Sequence, residues 1–383
     1  MMFRPRVLSP IFKLVENCNY SCDFCRYANH PPTGLSTMPF ELMVKMLTKA
    51  CEYNISQGAD TISIILHGGE PLLWGKDNFR RLYTFQQNFI REHEGFSFVN
   101  GIQTNANLID DEWIDILEQL DVHIGISIDG PIEYNYHYGK QGRKESLEKV
   151  LQNIKKLQQR KFKLGILSVI TEEHVGHAKE YMDFIEENGL TSPGFCYCYN
   201  PQDGCSIDQK RLADFLCDAF DIYYNSYTSF RIREFDNILT GIYGRHAGTC
   251  TAKCRQECGA FLTLSPNGDI GFCDSYEEYS FVVGNMNCDS LEAIIESERY
   301  QSIKELYLTA RHNKCSDCDF LNICGCGCAR SDQGEGKDRH YYFCDTVQIL
   351  IKHVLNVVAH DEKLGVENKS IDEKLLKYIV DTR

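Results

Sequence analysis

The sequence predicts an α/β protein: a partial (β/α)6 TIM-like barrel, followed by a small cysteine-rich domain and a helical C-terminal tail. Short β-branched runs alternate with longer segments of helical period up to about residue 200. The 383 residues exceed what one hydrophobic core usually fills, about 250–300 residues. Eleven of the nineteen cysteines lie between Cys250 and Cys344, which indicates a separate metal-binding region.

The barrel prediction rests on six strands and the helices between them. The predicted strands are 7–15, 61–66, 96–103, 122–128, 163–170 and 194–199. The predicted helices are 39–57, 77–92, 110–120, 144–160 and 175–187. This alternation is typical of βα units around a parallel sheet. Ligands bind at the carboxyl ends of such strands, so the polar, glycine-rich segments there should converge on one mouth.

Three domains follow from the change of pattern along the chain. Residues 1–245 are predicted to form the barrel with its connecting helices, the last of them over 208–243. Residues 246–346 form the cysteine-rich domain, where cysteine spacing replaces periodicity. Residues 347–383 form a tail of one helix followed by a second, charged one.

Composition restricts the location and the partners. A net charge of −14 disfavours a protein that holds nucleic acid through a general basic field, and it suits a cationic peptide. No apolar run reaches the roughly 18–20 residues that span a bilayer, and no signal peptide is visible. We therefore expect a cytoplasmic protein without membrane or nucleic-acid partners, whose cysteines are reduced and bind metal.

The first metal motif follows the first predicted strand. Cys18, Cys22 and Cys25 form CxxxCxxC. Three thiolates can hold three irons of a [4Fe–4S] cluster and leave the fourth iron open to a small chelating ligand. Structural zinc is the alternative, but it prefers four ligands in paired spacing.

This motif, with Phe24 before its last cysteine, resembles the signature of the radical S-adenosylmethionine superfamily. The resemblance implies that the open iron binds the amino and carboxylate groups of S-adenosylmethionine. A 5′-deoxyadenosyl radical then abstracts a hydrogen atom from the substrate. Activity also requires an external electron donor such as flavodoxin or ferredoxin.

Further segments resemble the family's cofactor-binding motifs. Gly68, Gly69 and Glu70 match the GGE motif that receives the amino group of the cofactor. Ser127 and Asp129 match residues near its ribose and carboxylate, and the backbone around Leu167 matches the adenine contact. An arginine that commonly pairs with the carboxylate is displaced here, and the sequence leaves Lys140 and Arg143 as alternatives.

The second cysteine group resembles the SPASM domain of peptide-modifying superfamily members, which implies two auxiliary [4Fe–4S] clusters and three clusters in total. The first would use Cys258, Cys273, Cys328 and either Cys250 or Cys254. The second would use Cys315, Cys318, Cys324 and Cys344. A zinc-ribbon-like module is the alternative. Cys326 is interpreted as a bystander at a position often occupied by glycine.

The resemblance also suggests catalytic residues. Asp274 follows Cys273, and the matching Asp of sulfatase-maturating relatives takes a proton from the oxidised residue; the alternative is an ordinary turn residue. Gln103 and Asn105 resemble a QTN segment that faces substrate, although both could instead satisfy loop backbone. His67 and His137 are not expected to be ligands or acids.

Three functions are compared. The first is a maturase that crosslinks a ribosomally made peptide through a C–C, C–S or C–O bond. The alternative is an anaerobic sulfatase-maturating enzyme that forms formylglycine from Cys or Ser, against which Ala106 counts because relatives usually have glycine there. The third, an electron carrier, would leave GGEP and SIDGP unused. Either enzyme acts on a peptide or protein substrate.

Overall fold

The computed structural model describes residues 7–25, 36–139, 142–200, 205–226, 231–244, 258–274, 281–309, 315–334, 340–360 and 371–379. The described strands are β1 (Ile11–Val15), β2 (Thr61–Gly68), β3 (Ser97–Thr104), β4 (Val122–Ser127), β5 (Leu164–Ile170), β6 (Pro193–Tyr197), β7 (Tyr199–Asn200), β8 (Cys205–Ser206), β9 (Thr263–Leu264), β10 (Asp269–Gly271), β11 (Val282–Asn285), β12 (Asp332–Gln333) and β13 (His340–Tyr341). The described α-helices are α1 (Phe40–Ser56), α2 (Lys76–Glu92), α3 (Asp111–Gln119), α4 (Arg143–Gln159), α5 (Ala178–Glu187), α6 (Gln209–Asn225), α7 (Arg233–Ile242), α8 (Leu291–Glu296), α9 (Glu298–Thr309), α10 (Leu321–Cys324) and α11 (Cys344–Ala359).

The predicted α/β fold class is confirmed. Each of the six predicted barrel strands overlaps one of β1 to β6, and each of the five predicted helices overlaps one of α1 to α5. The predicted helical segment over 208–243 contains α6 and α7, and the tail begins with α11. The second tail helix is a 3-10 helix, Glu373–Tyr378. Among the described residues, no helix is both long and apolar enough to cross a membrane.

The chain divides into two compact units. The first combines Met1–Ile166 with Cys258–Glu305, and the second combines Leu167–Glu257 with Leu306–Arg383. The predicted domain boundaries near residues 245 and 346 stay predictions.

The first unit contains the parallel strands that position the candidate site. Strands β1, β2, β3 and β4 are neighbours in this order and run parallel. On the other side of β1 lie β9, β10 and β11, of which β9 is parallel to β1 and the next two pairings are antiparallel. All five residues of β1 are buried, because this strand lies in the middle of the sheet.

The second unit is built on two packed helices, α6 and α11, that support the cysteine-rich segment. The Thr346 hydroxyl of α11 donates to the Gln209 carbonyl at 2.7 Å. Close packing also joins α7 to α10, since a Cβ at Gly241 would lie 2.9 Å from Cγ1 of Ile323. The segment that carries the later cysteines is therefore held by apolar and polar contacts to the helices of its own unit.

Candidate active site and metal centres

The three N-terminal cysteines lie in the loop that follows β1. Cys22 is buried, whereas Cys18 and Cys25 are half-buried. The Cys25 N–H donates to the Cys22 carbonyl at 3.0 Å, which closes a turn. Burial raises the pKa of the Cys18 thiol to about 11 and raises the pKa of Cys22 further, and the nearby Cys25 adds to both shifts. Clustered thiols that are reluctant to ionise alone suit a cationic metal centre, which fits the predicted cluster.

The glycines of the GGE segment let two stretches of backbone meet. The Gly69 N–H donates to the Val15 carbonyl at 2.6 Å, and the Glu70 N–H donates to the Asn17 carbonyl at 3.1 Å. A Cβ at Gly68 would lie 2.2 Å from the Val15 oxygen, and one at Gly69 would lie 2.4 Å from the Asn17 oxygen. Both glycines are thus needed for packing against the chain that leads to Cys18, besides any approach to a cofactor.

We expect Gly69→Ala to impair the first cluster. Its methyl group would overlap the backbone of Asn17, the residue before Cys18, so the cysteine loop has to move. The matched control is Gly165→Ala, because a Cβ at Gly165 meets nothing within 4 Å. Iron content and S-adenosylmethionine cleavage should fall in the first variant and stay at the wild-type level in the second. Equal values in both variants would contradict the expectation.

Glu70 is a fully buried carboxylate between this segment and β3. It accepts hydrogen bonds from the Leu72 N–H at 3.0 Å, the Thr104 hydroxyl at 2.7 Å and the Asn105 N–H at 2.9 Å. Burial nevertheless raises the pKa of Glu70 to about 7. A carboxylate offers about four acceptor positions, so one remains for a further donor. A cationic amine there would offset the cost of burial, which fits the predicted contact with the amino group of the cofactor.

The raised pKa of Glu70 predicts a pH dependence of stability. Burial raises the pKa of Glu70 from its ordinary value of 4.5 to about 7 in the folded protein, so ionisation of this carboxyl costs the fold about 3 kcal/mol. The neutral Glu70 carboxyl therefore contributes to the free energy of unfolding. This contribution is fully present below about pH 4.5 and is lost as the pH rises through 7. Glu70→Gln removes this titration but places an amide N–H₂ against one of the donors. In cluster-free protein, the variant should melt below the wild type at pH 5 and the gap should narrow toward pH 8. A difference in melting temperature that is the same at pH 5 and pH 8 would contradict this expectation.

Asn105 connects the end of β3 to the cysteine loop. Its Nδ2 donates to Oδ1 of Asn19 at 2.8 Å, and its Oδ1 accepts from the Asn107 N–H at 3.0 Å. Gln103 Nε2 donates to the Ser127 hydroxyl at 2.9 Å, which connects β3 to β4. These bonds agree with the loop-supporting alternative for Asn105, whereas the contact of Gln103 with substrate stays a prediction.

Asp129 shapes the loop that packs against the cysteine motif. This buried carboxylate accepts from the Tyr136 N–H at 3.1 Å and lies 2.8 Å from Nδ1 of His137. The His137 ring meets Phe24 edge to face, with centroids 5.0 Å apart. Asp129 and His137 thereby support Phe24, a support that the sequence did not predict for either residue.

Lys140 and Arg143 are the alternative predicted partners of the cofactor carboxylate, and of these two only Arg143 lies within the described residues. Its guanidinium lies over the Tyr136 ring, 4.2 Å from the centroid, and 3.8 Å from Oδ2 of Asp23 in the cysteine loop. Lys140 lies outside the described residues. Leu167 is half-buried in β5, and its adenine contact stays a prediction.

Asp274 meets two basic side chains. Lys13 on β1 and His67 on β2 are register partners, which places both side chains on one face of the sheet. Lys13 Nζ lies 3.4 Å from Oδ1 of Asp274, and His67 Nε2 lies 4.0 Å from Oδ2. The Lys13 side chain is 6% exposed and that of Asp274 is 29% exposed. The carboxylate therefore has a buried cation beside it and remains accessible.

A hydrogen bond to Nδ1 fixes the tautomer of the His67 ring. Its Nδ1 accepts from the Gly68 N–H at 2.7 Å, so the proton of the neutral ring is on Nε2, which faces Asp274. No role for Lys13 was predicted. The available signal was a lysine among the apolar residues of a buried strand, which requires an anionic partner.

The predicted ligands of the second auxiliary cluster come together in the second unit. Cys318 and Cys324 lie near enough to Cys344 for its charge to raise their pKa values, although burial contributes more. Burial raises the pKa of Cys324 to about 12. Gln348 Nε2 donates to the Cys344 sulfur at 3.3 Å. Cys315 and Cys326 are hydrogen-bonded to each other. These thiols fit a cluster site.

The first auxiliary cluster stays a prediction. Cys258 and Cys273 belong to the first unit and Cys328 to the second. The Cys258 carbonyl accepts a hydrogen bond from the Lys304 ammonium group. Cys250 and Cys254 lie outside the described residues, so the choice between them remains open.

Comparisons with known proteins agree with both metal motifs. Residues 12–185 match the family model of the radical SAM superfamily, and residues 254–319 match the SPASM model, described as an iron–sulfur cluster-binding domain. The chain therefore contains a radical SAM domain followed by a SPASM domain. The prediction of an enzyme that uses [4Fe–4S] clusters and S-adenosylmethionine is confirmed.

Similar proteins match over almost the whole chain. The serine-type anaerobic sulfatase-maturating enzyme of Bacteroides thetaiotaomicron is 26% identical, with 90% of this chain and 89% of that protein covered. The cysteine-type enzyme of Clostridium perfringens is 24% identical, with 88% and 93% covered. The solved structure of native anSMEcpe with bound AdoMet matches with a TM-score of 0.80 at 21% identity, covering 92% of this chain and 100% of that one. Streptococcus suis SuiB bound to precursor peptide SuiA matches with a TM-score of 0.56 at 18% identity, covering 85% and 72%.

Proposed function

We propose that this enzyme oxidises a Cys or Ser side chain of a protein substrate to formylglycine. The observation that carries the proposal is the accessible Asp274 carboxylate beside buried Lys13, on a chain similar throughout its length to both types of anaerobic sulfatase-maturating enzyme. The overall reaction removes two electrons and two protons from Ser to give the aldehyde. With Cys the corresponding thioaldehyde exchanges with water and releases hydrogen sulfide.

The chain's own residues handle the proton. When bound, S-adenosylmethionine and the clusters supply hydrogen-atom abstraction and an electron acceptor. Asp274 takes the hydroxyl or thiol proton of the substrate as its carbon is oxidised. The Lys13 ammonium group lies beside one oxygen of this carboxylate, and His67 directs its Nε2–H toward the other oxygen.

The crosslinking reaction, which the sequence ranked first, has less support than its alternative. The similarity to SuiB, at 18% identity, concerns the fold. The objection from Ala106 also weakens, because this residue adopts φ +57°, a left-handed conformation that favours glycine. The alanine therefore keeps a backbone conformation suited to the usual glycine. The partners we propose are a protein substrate and an external flavodoxin- or ferredoxin-type electron donor.

Mass spectrometry tests the proposal. Reconstituted enzyme, S-adenosylmethionine and a reductant are incubated without oxygen with a sulfatase peptide that carries the target residue as Cys or as Ser. The Ser peptide should lose two hydrogens, the Cys peptide should also exchange sulfur for oxygen, and both products should react with a hydrazide. Loss of two hydrogens without hydrazide reactivity would favour a crosslink. Formation of 5′-deoxyadenosine without a change in peptide mass would show that the target is wrong.

A further inference from the structure

Gln103 and Gly125 are register partners on the neighbouring strands β3 and β4. The Gln103 side chain extends over Gly125, and its Nε2 donates to the hydroxyl of Ser127, two residues further along β4, at 2.9 Å. A Cβ at Gly125 would lie 2.2 Å from Oε1 of Gln103. Gly125 therefore provides the space in which the Gln103 amide lies, and this close approach explains a glycine inside a strand.

The Gln103 amide lies on the face of the sheet that also carries Lys13 and His67. The register of β2 and β3 places His67 and Gln103 on one face, and Lys13 is the register partner of His67 on β1. Lys13 and Gln103 are thus two strands apart, about 9–10 Å in the hydrogen-bonding direction. An extended peptide whose target residue lies at Asp274 covers this distance with about three residues.

Part of the hydrogen-bonding capacity of the Gln103 amide is still unused. A glutamine amide has two N–H donors and an acceptor oxygen, and the Ser127 hydroxyl takes one of these donors. Within the described part of the chain, no hydrogen bond is made by the second N–H or by Oε1. One donor and one acceptor on a planar amide match the C=O and N–H of a peptide group, whichever side chain that residue carries.

We propose that Gly125 is a positioning residue, which lets the Gln103 amide bind a main-chain peptide group of the substrate near its target residue. The bond to Ser127 holds the amide in place, so peptide binding orders little that is not already ordered. The inference rests on the proposed function only in that the substrate is a peptide chain, and it does not depend on formylglycine as the product.

Three variants test the coupling between the two positions: Gly125→Ala, Gln103→Ala and the double variant. The closest atom to the new methyl group is the flexible end of a side chain, so the amide should move and the fold should persist. The dissociation constant of a fluorescently labelled sulfatase peptide is measured by anisotropy, with reconstituted full-length enzyme and S-adenosylmethionine but without reductant. Gly165→Ala is the control, and melting temperatures monitor the fold.

Each single substitution should weaken peptide binding about tenfold, because it removes two neutral hydrogen bonds. The double variant should bind no more weakly than Gln103→Ala, since no amide is left to displace. Additive losses, or wild-type affinity in either single variant, would overturn the proposal. A melting temperature of Gly125→Ala well below that of the wild type would mark a purely structural glycine and would overturn the positioning role.

Peptides with a single ester bond test the contact with the main chain. An ester lacks the N–H of a peptide group, so at one position within about three residues of the target it should weaken binding to the wild type several-fold and leave Gln103→Ala unaffected. Equal losses in both proteins, or no binding by the wild type, would overturn the proposal. A peptide that binds in this way but yields no aldehyde would contradict the proposed function alone, because these measurements require no turnover.

Discussion

Replacing Asp274 by Asn should reduce aldehyde formation by about 10²–10⁴-fold, the usual contribution of a positioned general base. Asn has nearly the same shape, but it carries no charge and cannot accept the substrate proton. Production of 5′-deoxyadenosine should continue, because Asp274 is not among the residues predicted to bind S-adenosylmethionine. Both products are quantified in one anaerobic reaction by liquid chromatography and mass spectrometry.

A second variant and a control sharpen this test. Lys13→Met keeps a long apolar side chain but removes the cation 3.4 Å from the carboxylate, and should cause a smaller loss than Asp274→Asn. Asp77→Asn, at a carboxylate that is 96% exposed on α2, should have no effect. Full aldehyde yield from the Asp274 variant would exclude Asp274 as the general base. Parallel loss of aldehyde and 5′-deoxyadenosine would point instead to damage at the cofactor site.

The barrel was predictable because its elements are long and strongly patterned. In β2, for instance, buried and half-buried residues alternate over all eight positions, as expected for a strand covered on one face. The three cysteines of the first motif were equally predictable, because a single loop carries all of them. Local sequence determines both features.

The surroundings of Asp274 could not be predicted in the same way. Strands β9 and β10 contain two and three residues, too few for a periodicity. The pairing of β9 with β1 brings the end of β10, and Asp274 after it, toward Lys13. Lys13 and Asp274 are separated in sequence by most of the chain. Such a contact depends on the tertiary fold, so the sequence indicates at most that Lys13 requires some anion.

The roles of the buried polar residues could not be predicted from the sequence either. Glu70 and Asp129 were assigned to the cofactor by resemblance, yet each accepts several hydrogen bonds from the protein itself. A motif indicates which residue types are present, but it does not separate a side chain that binds a ligand from one that supports the loop. Glu70 can do both, since three donors leave an acceptor position open.

Replacing Cys22 by Ala should abolish cleavage of S-adenosylmethionine. Cys22 is 6% exposed, its carbonyl closes the turn to Cys25, and the backbone N–H of Tyr138 donates to its sulfur. Without Cys22 the motif keeps two of its three predicted ligands, Cys18 and Cys25. The reconstituted variant should contain about four fewer irons than the wild type and form no 5′-deoxyadenosine.

Cys51→Ala is the matched control for Cys22→Ala. Cys51 is also a buried thiol whose pKa is raised by burial, to about 12, but it lies in the middle of α1. Its removal should leave iron content and cofactor cleavage unchanged. If the Cys22 variant kept its iron, Cys22 would not be a ligand. If the Cys51 variant lost the same amount of iron, the loss of a buried thiol, and not of a motif ligand, would explain the effect. The open iron site on which the chemistry depends would then have to be assigned elsewhere.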